Sequence, residues 1–117
     1  MTSVHSTVQI LRRARLRSST EAALQTSIET ALTAGDVEFE REARLAPGER
    51  IDFLTTGGIG IEAKTRASRR AVFRQLERYA AIDTISSLIL VTGTAIGLPE
   101  SINGKPLFLV SLGRGAL

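Results

Sequence analysis

Two carboxylates and one amine fall close together in the middle of this 117-residue chain: Asp52, then Glu62, then Lys64 two residues on. Between the acids, Thr55-Thr56-Gly57-Gly58 reads as a turn joining two short apolar-alternating segments, so the stretch is predicted as a β-hairpin. A loop centred on Gly57 sets Asp52 opposite Glu62 and Phe53 opposite Ile61. Lys64 and Gly60 then share the carboxylate face, with Gly60 leaving open space on it. Ile51, Phe53, Ile59 and Ile61 form the apolar side. Two acids a few ångströms apart repel unless a divalent cation sits between them. Such a cation polarises a phosphate oxygen and acidifies a water, while a neighbouring lysine positions that water or stabilises developing charge. The chain holds 13 arginines and two lysines, Lys64 and Lys105. Where a mere positive charge serves, arginine is used, and the compact amine at 64 supplies what a guanidinium cannot.

Composition narrows the chemistry further. There is no cysteine, and the one histidine is His5, which excludes a disulfide framework, a zinc finger, a Cys/His nucleophile pair and a His-Asn-His centre. Any metal is a hard cation on oxygen ligands, magnesium or manganese. No apolar run is long enough to span a bilayer and no signal-peptide core follows the start, so a cytoplasmic location with no membrane association is expected. With four Phe, one Tyr and no Trp, recognition by base stacking has little support. The net charge of +3 is segregated: +4 over residues 1–20, −6 over 21–62 and +5 over 63–117. An acidic middle between basic flanks suits a protein that holds cations centrally and polyanions peripherally.

These residues must be positioned by a recognisable set of elements. Ser18 and Glu21 are spaced as a capping box, Leu24, Ile28, Ala31 and Leu32 share a face, and Gly35 stands at the C-cap position, which predicts a helix over residues 19–34. Residues 8–16 read as a short helix or an ordered arm. From Val37 to Leu45 the period changes to two, predicting a strand whose Glu38, Glu40 and Glu42 form a solvated face, one of them alternatively enlarging a metal site. Strands at 50–54 and 59–64 complete a three-stranded antiparallel meander. A helix over 68–82 buries Val72, Leu76, Tyr79 and Ala80 and carries Arg66, Arg70, Arg74 and Arg78 at four-residue steps on another side. The apolar run 87–92 is a strand covered on both faces, parallel to the third through a helical crossover. Residues 93–105 read as a loop and 107–112 as a last strand.

Arg50-Ile51-Asp52 followed by Ile61-Glu62-Ala63-Lys64 resembles the Asp and Glu-x-Lys elements of the PD-(D/E)xK nuclease superfamily, with Ile51 where that motif carries proline. Gln75-Leu76-Glu77-Arg78-Tyr79 resembles the Gln-x-x-x-Tyr motif of one branch, and the element order resembles that fold's common core. The resemblance implies an α/β, restriction-endonuclease-like core: a helix, a three-stranded antiparallel meander, a crossover helix and further strands in a mixed sheet. It implies one nuclease domain over residues 1–117, with 1–17 a basic N-terminal arm or short helix. Asp52 and Glu62 become ligands of Mg2+ or Mn2+, with the Ala63 carbonyl a further ligand. Lys64 becomes the catalytic lysine, Gln75 a residue orienting the site or the DNA backbone, and Glu21 an accessory acid. The expected activity is metal-dependent hydrolysis of DNA phosphodiester bonds, structure-selective or junction-resolving as in small junction-resolving and phage-type nucleases. By analogy with such members a homodimer is expected.

Each feature also has a plainer reading. Asp52, Glu62 and Lys64 make an ordinary cross-strand charge cluster if no metal is bound, and Glu21 serves the helix cap. Tyr79 is a core aromatic with a satisfied hydroxyl. The arginines of the second predicted helix are a solvated face or, following directly on Lys64, phosphate contacts together with Arg12 and Arg13. The rival functions are a non-catalytic DNA-binding or assembly module on the same fold, and an RNA-directed nuclease.

Overall fold

A computed structural model describes residues 1–112, and the end of the expected domain, residues 113–117, lies outside the described residues. The chain runs α1 (Val4–Arg13), α2 (Glu21–Ala34), β1 (Phe39–Ala46), β2 (Glu49–Thr55), β3 (Ile59–Lys64), α3 (Arg69–Ala80), β4 (Ser87–Thr92), β5 (Ser101–Ile102) and β6 (Lys105–Ser111). Together these form an α/β structure with one six-stranded mixed sheet in the order β1-β2-β3-β4-β6-β5. Strands β1, β2 and β3 are the antiparallel meander. After the α3 crossover, β4 lies parallel to β3, and β6 parallel to β4.

Helices cover both faces, and each face has its own apolar layer. On one, α1 and α2 bury Leu11, Leu24, Ile28 and Leu32 against Phe53, Ile61, Ile89 and Val91. On the other, α3 packs Val72, Leu76 and Tyr79 against Ile51, Leu88 and Leu90. Strand β4 is buried at every position, which is why its residues read as a continuous apolar run rather than an alternation. Among the described residues no helix is long and apolar enough to cross a membrane.

Several local expectations are corrected. Within the 8–16 stretch, residues 8–13 belong to a full helix that starts earlier, at Val4, with Ser3 Oγ accepting the Ser6 amide, and residues 14–16 follow it outside the helix. Helix α2 begins at Glu21, not 19, because Thr20 is the extended cap residue and its hydroxyl accepts from the Ala23 amide at 3.0 Å. Glu21 is therefore the first helical residue, and the Ser18–Glu21 box does not form; at that position its charge still complements the helix dipole. At the other end Gly35 keeps an ordinary φ of −88° while Asp36 takes the left-handed one, 59°. The Asp36 and Val37 amides donate to the Thr33 and Leu32 carbonyls, the paired bonds of a Schellman stop. The crossing of α1 leaves little room at Gly35: a Cβ there would lie 2.7 Å from Ile10 Cδ1, which would have to move. In the segment read as loop, β5 forms a hairpin with β6. Its turn is Asn103-Gly104, both at positive φ, a strong hairpin signal.

Candidate active site

The β2–β3 hairpin adopts the register read from the sequence, with Phe53 opposite Ile61 and Leu54 opposite Gly60. One step further, where Asp52 meets Glu62, side chains take over from the ladder. The Asp52 amide donates to Glu62 Oε1 at 3.2 Å, and the Ala63 amide donates to Asp52 Oδ2 at 2.8 Å. Each carboxylate is thus clamped by one backbone N–H of the opposing strand, which leaves Asp52 Oδ1 and Glu62 Oε2 to other partners. Lys64 Nζ stands 3.5 Å from Glu62 Oε2. Ala63, expected to contribute a carbonyl, contributes here through its amide.

The pair is costly to ionise. Burial, then the charge of Asp52, pushes the Glu62 carboxyl up to about 8, against lowering by the Asp52 amide and Lys64. Burial also raises the Asp52 carboxyl, with Glu42 adding to the rise and the Ala63 amide, Lys64 and Gln25 opposing it. The Glu62 side chain is 4% exposed and that of Lys64 21%, so the attraction between them acts in a medium that screens little.

Glu42 has a special backbone. Flanked by the pairs Arg41–Phe53 and Ala43–Ile51, it lies opposite Asp52 and holds φ at 51°, a left-handed conformation that costs a residue with a Cβ about 1–2 kcal/mol. Alternation along the hairpin breaks at this level: Phe53 packs in the α1–α2 layer, whereas Ile51 and Ala43 pack in the α3 layer. The expectation that Ile51 shares a face with Phe53, Ile59 and Ile61 is therefore overturned. Gly60 is no vacancy either, since a Cβ on it would meet Ile51 Cδ1 at 2.6 Å and Ile85 Cδ1 at 2.9 Å. The apolar layer under α3 fills that space, so the opening expected beside the carboxylates is closed.

From α2, the side chain that acts on Asp52 is Gln25, one turn beyond Glu21, which lowers that carboxyl. Glu21 is half-buried and is not among the charges acting on the carboxylate pair. Arg41 organises this side. Its guanidinium donates to Glu29 at 2.7 Å and to Gln25 Oε1 at 3.4 Å, lies 3.9 Å from Glu42, and stacks 4.9 Å over the Phe53 ring. Its Nε is buried without a partner. Period-two alternation over residues 37–45 puts Arg41 on the side opposite Glu38, Glu40 and Glu42, and nothing in the spacing gives a role to it or to Gln25. The available signals were a cation among inward-facing positions and a polar side chain one turn from Glu21.

On α3, Gln75 Nε2 donates to Tyr79 Oη at 3.0 Å, and Tyr79 Oη donates to the Arg50 carbonyl at 2.7 Å. Burial raises the Tyr79 hydroxyl, with Glu62, Asp52 and Glu49 adding to it. Gln75 thereby braces the strand that carries Asp52 without a hydrogen bond to either carboxylate. Arg70, Arg74 and Arg78 are exposed on α3, Arg78 bonded to Glu49 at 3.0 Å. Arg66 precedes the Ser68 cap, so the four-residue steps begin off the helix. Arg12 reaches the Leu109 carbonyl at 3.2 Å, while Arg13 lines a separate hollow with His5 and Gln9.

Two large concavities, of about 610 and 670 Å3, lie along α2 and the segment preceding it rather than at the carboxylates. A small-molecule enzyme would be expected to enclose its substrate at the charged cluster, whereas a polymer needs only an accessible edge. Among the described residues no group of three or more His, Cys, Asp or Glu is assembled to hold a metal. The donor set Asp52 and Glu62 is all oxygen and carries two raised carboxyls, which fits a hard divalent cation. It needs water or phosphate oxygens to complete the coordination. Comparison with family models, with curated proteins and with solved structures finds no match.

Proposed function

We propose that this protein is a magnesium- or manganese-dependent nuclease with a restriction-endonuclease-like core, acting on DNA phosphodiester bonds at Asp52, Glu62 and Lys64. The observation that carries the reading is the carboxylate pair itself, clamped side chain to backbone and raised in pKa, with an amine 3.5 Å away. A purely structural ion pair gains little from a second buried acid facing it, whereas a cation converts the repulsion into affinity. The meander, crossover helix and parallel strand support the fold part of the reading, as does the position of Glu62 and Lys64 at the C-terminal end of β3 beside Asp52 in the middle of β2.

Asp52 and Glu62 would hold the cation, which when bound supplies a Lewis acid that polarises phosphate and acidifies water. With Glu62 serving as a ligand, Lys64 would be free to donate hydrogen bonds to a water or to the non-bridging phosphate oxygens. The Ala63 and Asp52 amides keep the two carboxylates in place. Gln75 and Tyr79 hold the Arg50 end of β2. Exposed arginines on α3 supply phosphate contacts, and a homodimer would present two such sites to two strands. The lack of a three-acid cluster among the described residues favours, as the second reading, a DNA-binding module in which Lys64 simply neutralises Glu62.

The test compares wild type with Asp52→Ala and Lys64→Ala on labelled single-stranded, duplex, flap and four-way-junction DNA, in magnesium, manganese or EDTA. Metal-dependent cleavage lost in both variants is expected, and the ranking of substrates gives the subclass. Binding without cleavage in every condition establishes the module instead, and an RNA competitor that outruns DNA moves the substrate to RNA.

A further inference from the structure

The arm joining α1 to α2 is tied down along its length. Leu16 packs on the apolar layer beneath the two helices, and the Arg17 amide donates to Ser27 Oγ at 3.0 Å. Ser18 lies against Gly93, where an added Cβ would stand 3.3 Å from the Ser18 Cβ. Gly93 in turn donates to the Lys64 carbonyl at 3.2 Å. The arm therefore crosses the C-terminal end of β4 right beside the backbone of Lys64.

Along that crossing, Arg12, Arg15 and Arg17 line a hollow of about 670 Å3 with Ser111 and Leu112 at the end of β6. None of the three forms an ion pair with an acid among the described residues. Arg12 is oriented by its bond to the Leu109 carbonyl. Guanidinium groups gathered on one hollow without counter-charge repel one another, and an anion between them reverses the sign. Lys64, Thr92 and Ser111 are successive partners across β3, β4 and β6. The hollow thus lies about two strand spacings, or about 10 Å, from the lysine.

We infer that this hollow is a backbone-phosphate subsite for DNA, in which Arg15 and Arg17 take a phosphate on a strand running over the C-terminal ends of β6, β4 and β3 towards Lys64. Its relation to a scissile bond rests on the nuclease reading; its occupation by DNA does not. The ordered arm makes the grip pre-formed, so no loop must fold when DNA arrives.

Fluorescence anisotropy of a labelled duplex in EDTA, between about 50 and 200 mM salt, tests it without any cleavage. Arg15→Ala/Arg17→Ala is expected to weaken binding at least about tenfold at low salt and to lower the slope of log affinity against log salt by about 1.8. Arg15→Lys/Arg17→Lys restores the slope, and Arg15→Ala alone, which gives up no hydrogen bond, lowers it by about 0.9. A melting curve matching wild type shows that the fold is kept. Wild-type affinity and slope in the alanine variants overturn the inference, as does a wild-type protein that does not bind the duplex. Arm-dependent binding without cleavage in magnesium would leave the subsite standing and remove the nuclease reading. Cleavage with an indifferent arm would do the reverse.

Discussion

Glu62→Gln isolates the ionisation of the candidate site from its shape. In the wild type, Glu62 Oε1 accepts the Asp52 amide and Oε2 stands 3.5 Å from Lys64. Glutamine retains one acceptor for that amide and turns its NH2 towards the ammonium, a facing of two donors that costs about 1 kcal/mol. The pH dependence is what changes. Glu62 titrates near 4.5 in an unfolded chain and at about 8 in the fold. Between those values the native state binds the extra proton, so this group's contribution to stability falls as pH rises through the window. A move of that size corresponds to a loss on the order of 5 kcal/mol by pH 9. Urea unfolding followed by circular dichroism at pH 5, 7 and 9, in EDTA, is expected to show wild type losing stability across the series more steeply than Glu62→Gln, which keeps only the fall contributed by the raised Asp52 carboxyl. The curves should cross so that the variant is the more stable protein at pH 9. Magnesium should restore wild-type stability at high pH, by about 2.7 kcal/mol at a hundredfold excess over its dissociation constant, and leave the variant unchanged. Parallel pH curves for the two proteins would refute the claim that burial and Asp52 hold this carboxyl protonated.

Two further substitutions test the frame around the site. Tyr79→Phe removes the donor to the Arg50 carbonyl and the acceptor of the Gln75 amide; it should cost about 1–3 kcal/mol in urea unfolding, and a neutral result would show that β2 needs no brace from α3. Gly60→Ala places a methyl group within 3 Å of Ile51 and Ile85, so a loss of about 1–3 kcal/mol from overpacking is expected, whereas unchanged stability would return Gly60 to the open position first read for it.

Whatever depends on spacing along the chain is legible before any folding. Period-two alternation and the Thr55–Gly58 turn were enough to set Phe53 opposite Ile61, and hence Asp52 opposite Glu62, because the register of a short hairpin follows from its loop. The apolar run of β4 announced a strand covered on both faces, and the α3 pattern announced its buried side. The Asn103-Gly104 pair carries an equally legible hairpin signal within the 93–105 stretch expected as loop. What surrounds Asp52 follows instead from how distant segments pack. Glu42 comes opposite it through a left-handed residue that no alternation predicts, and Gln25 arrives from a helix whose start was fixed by Thr20 rather than Ser18. Ile51 crosses to the α3 layer at the same level and fills the space over Gly60. Local periodicity records which way a side chain points relative to its neighbours in sequence. A break in the backbone at one residue reverses that direction, and the charges and packing that then surround a carboxylate come from segments that the linear spacing does not relate.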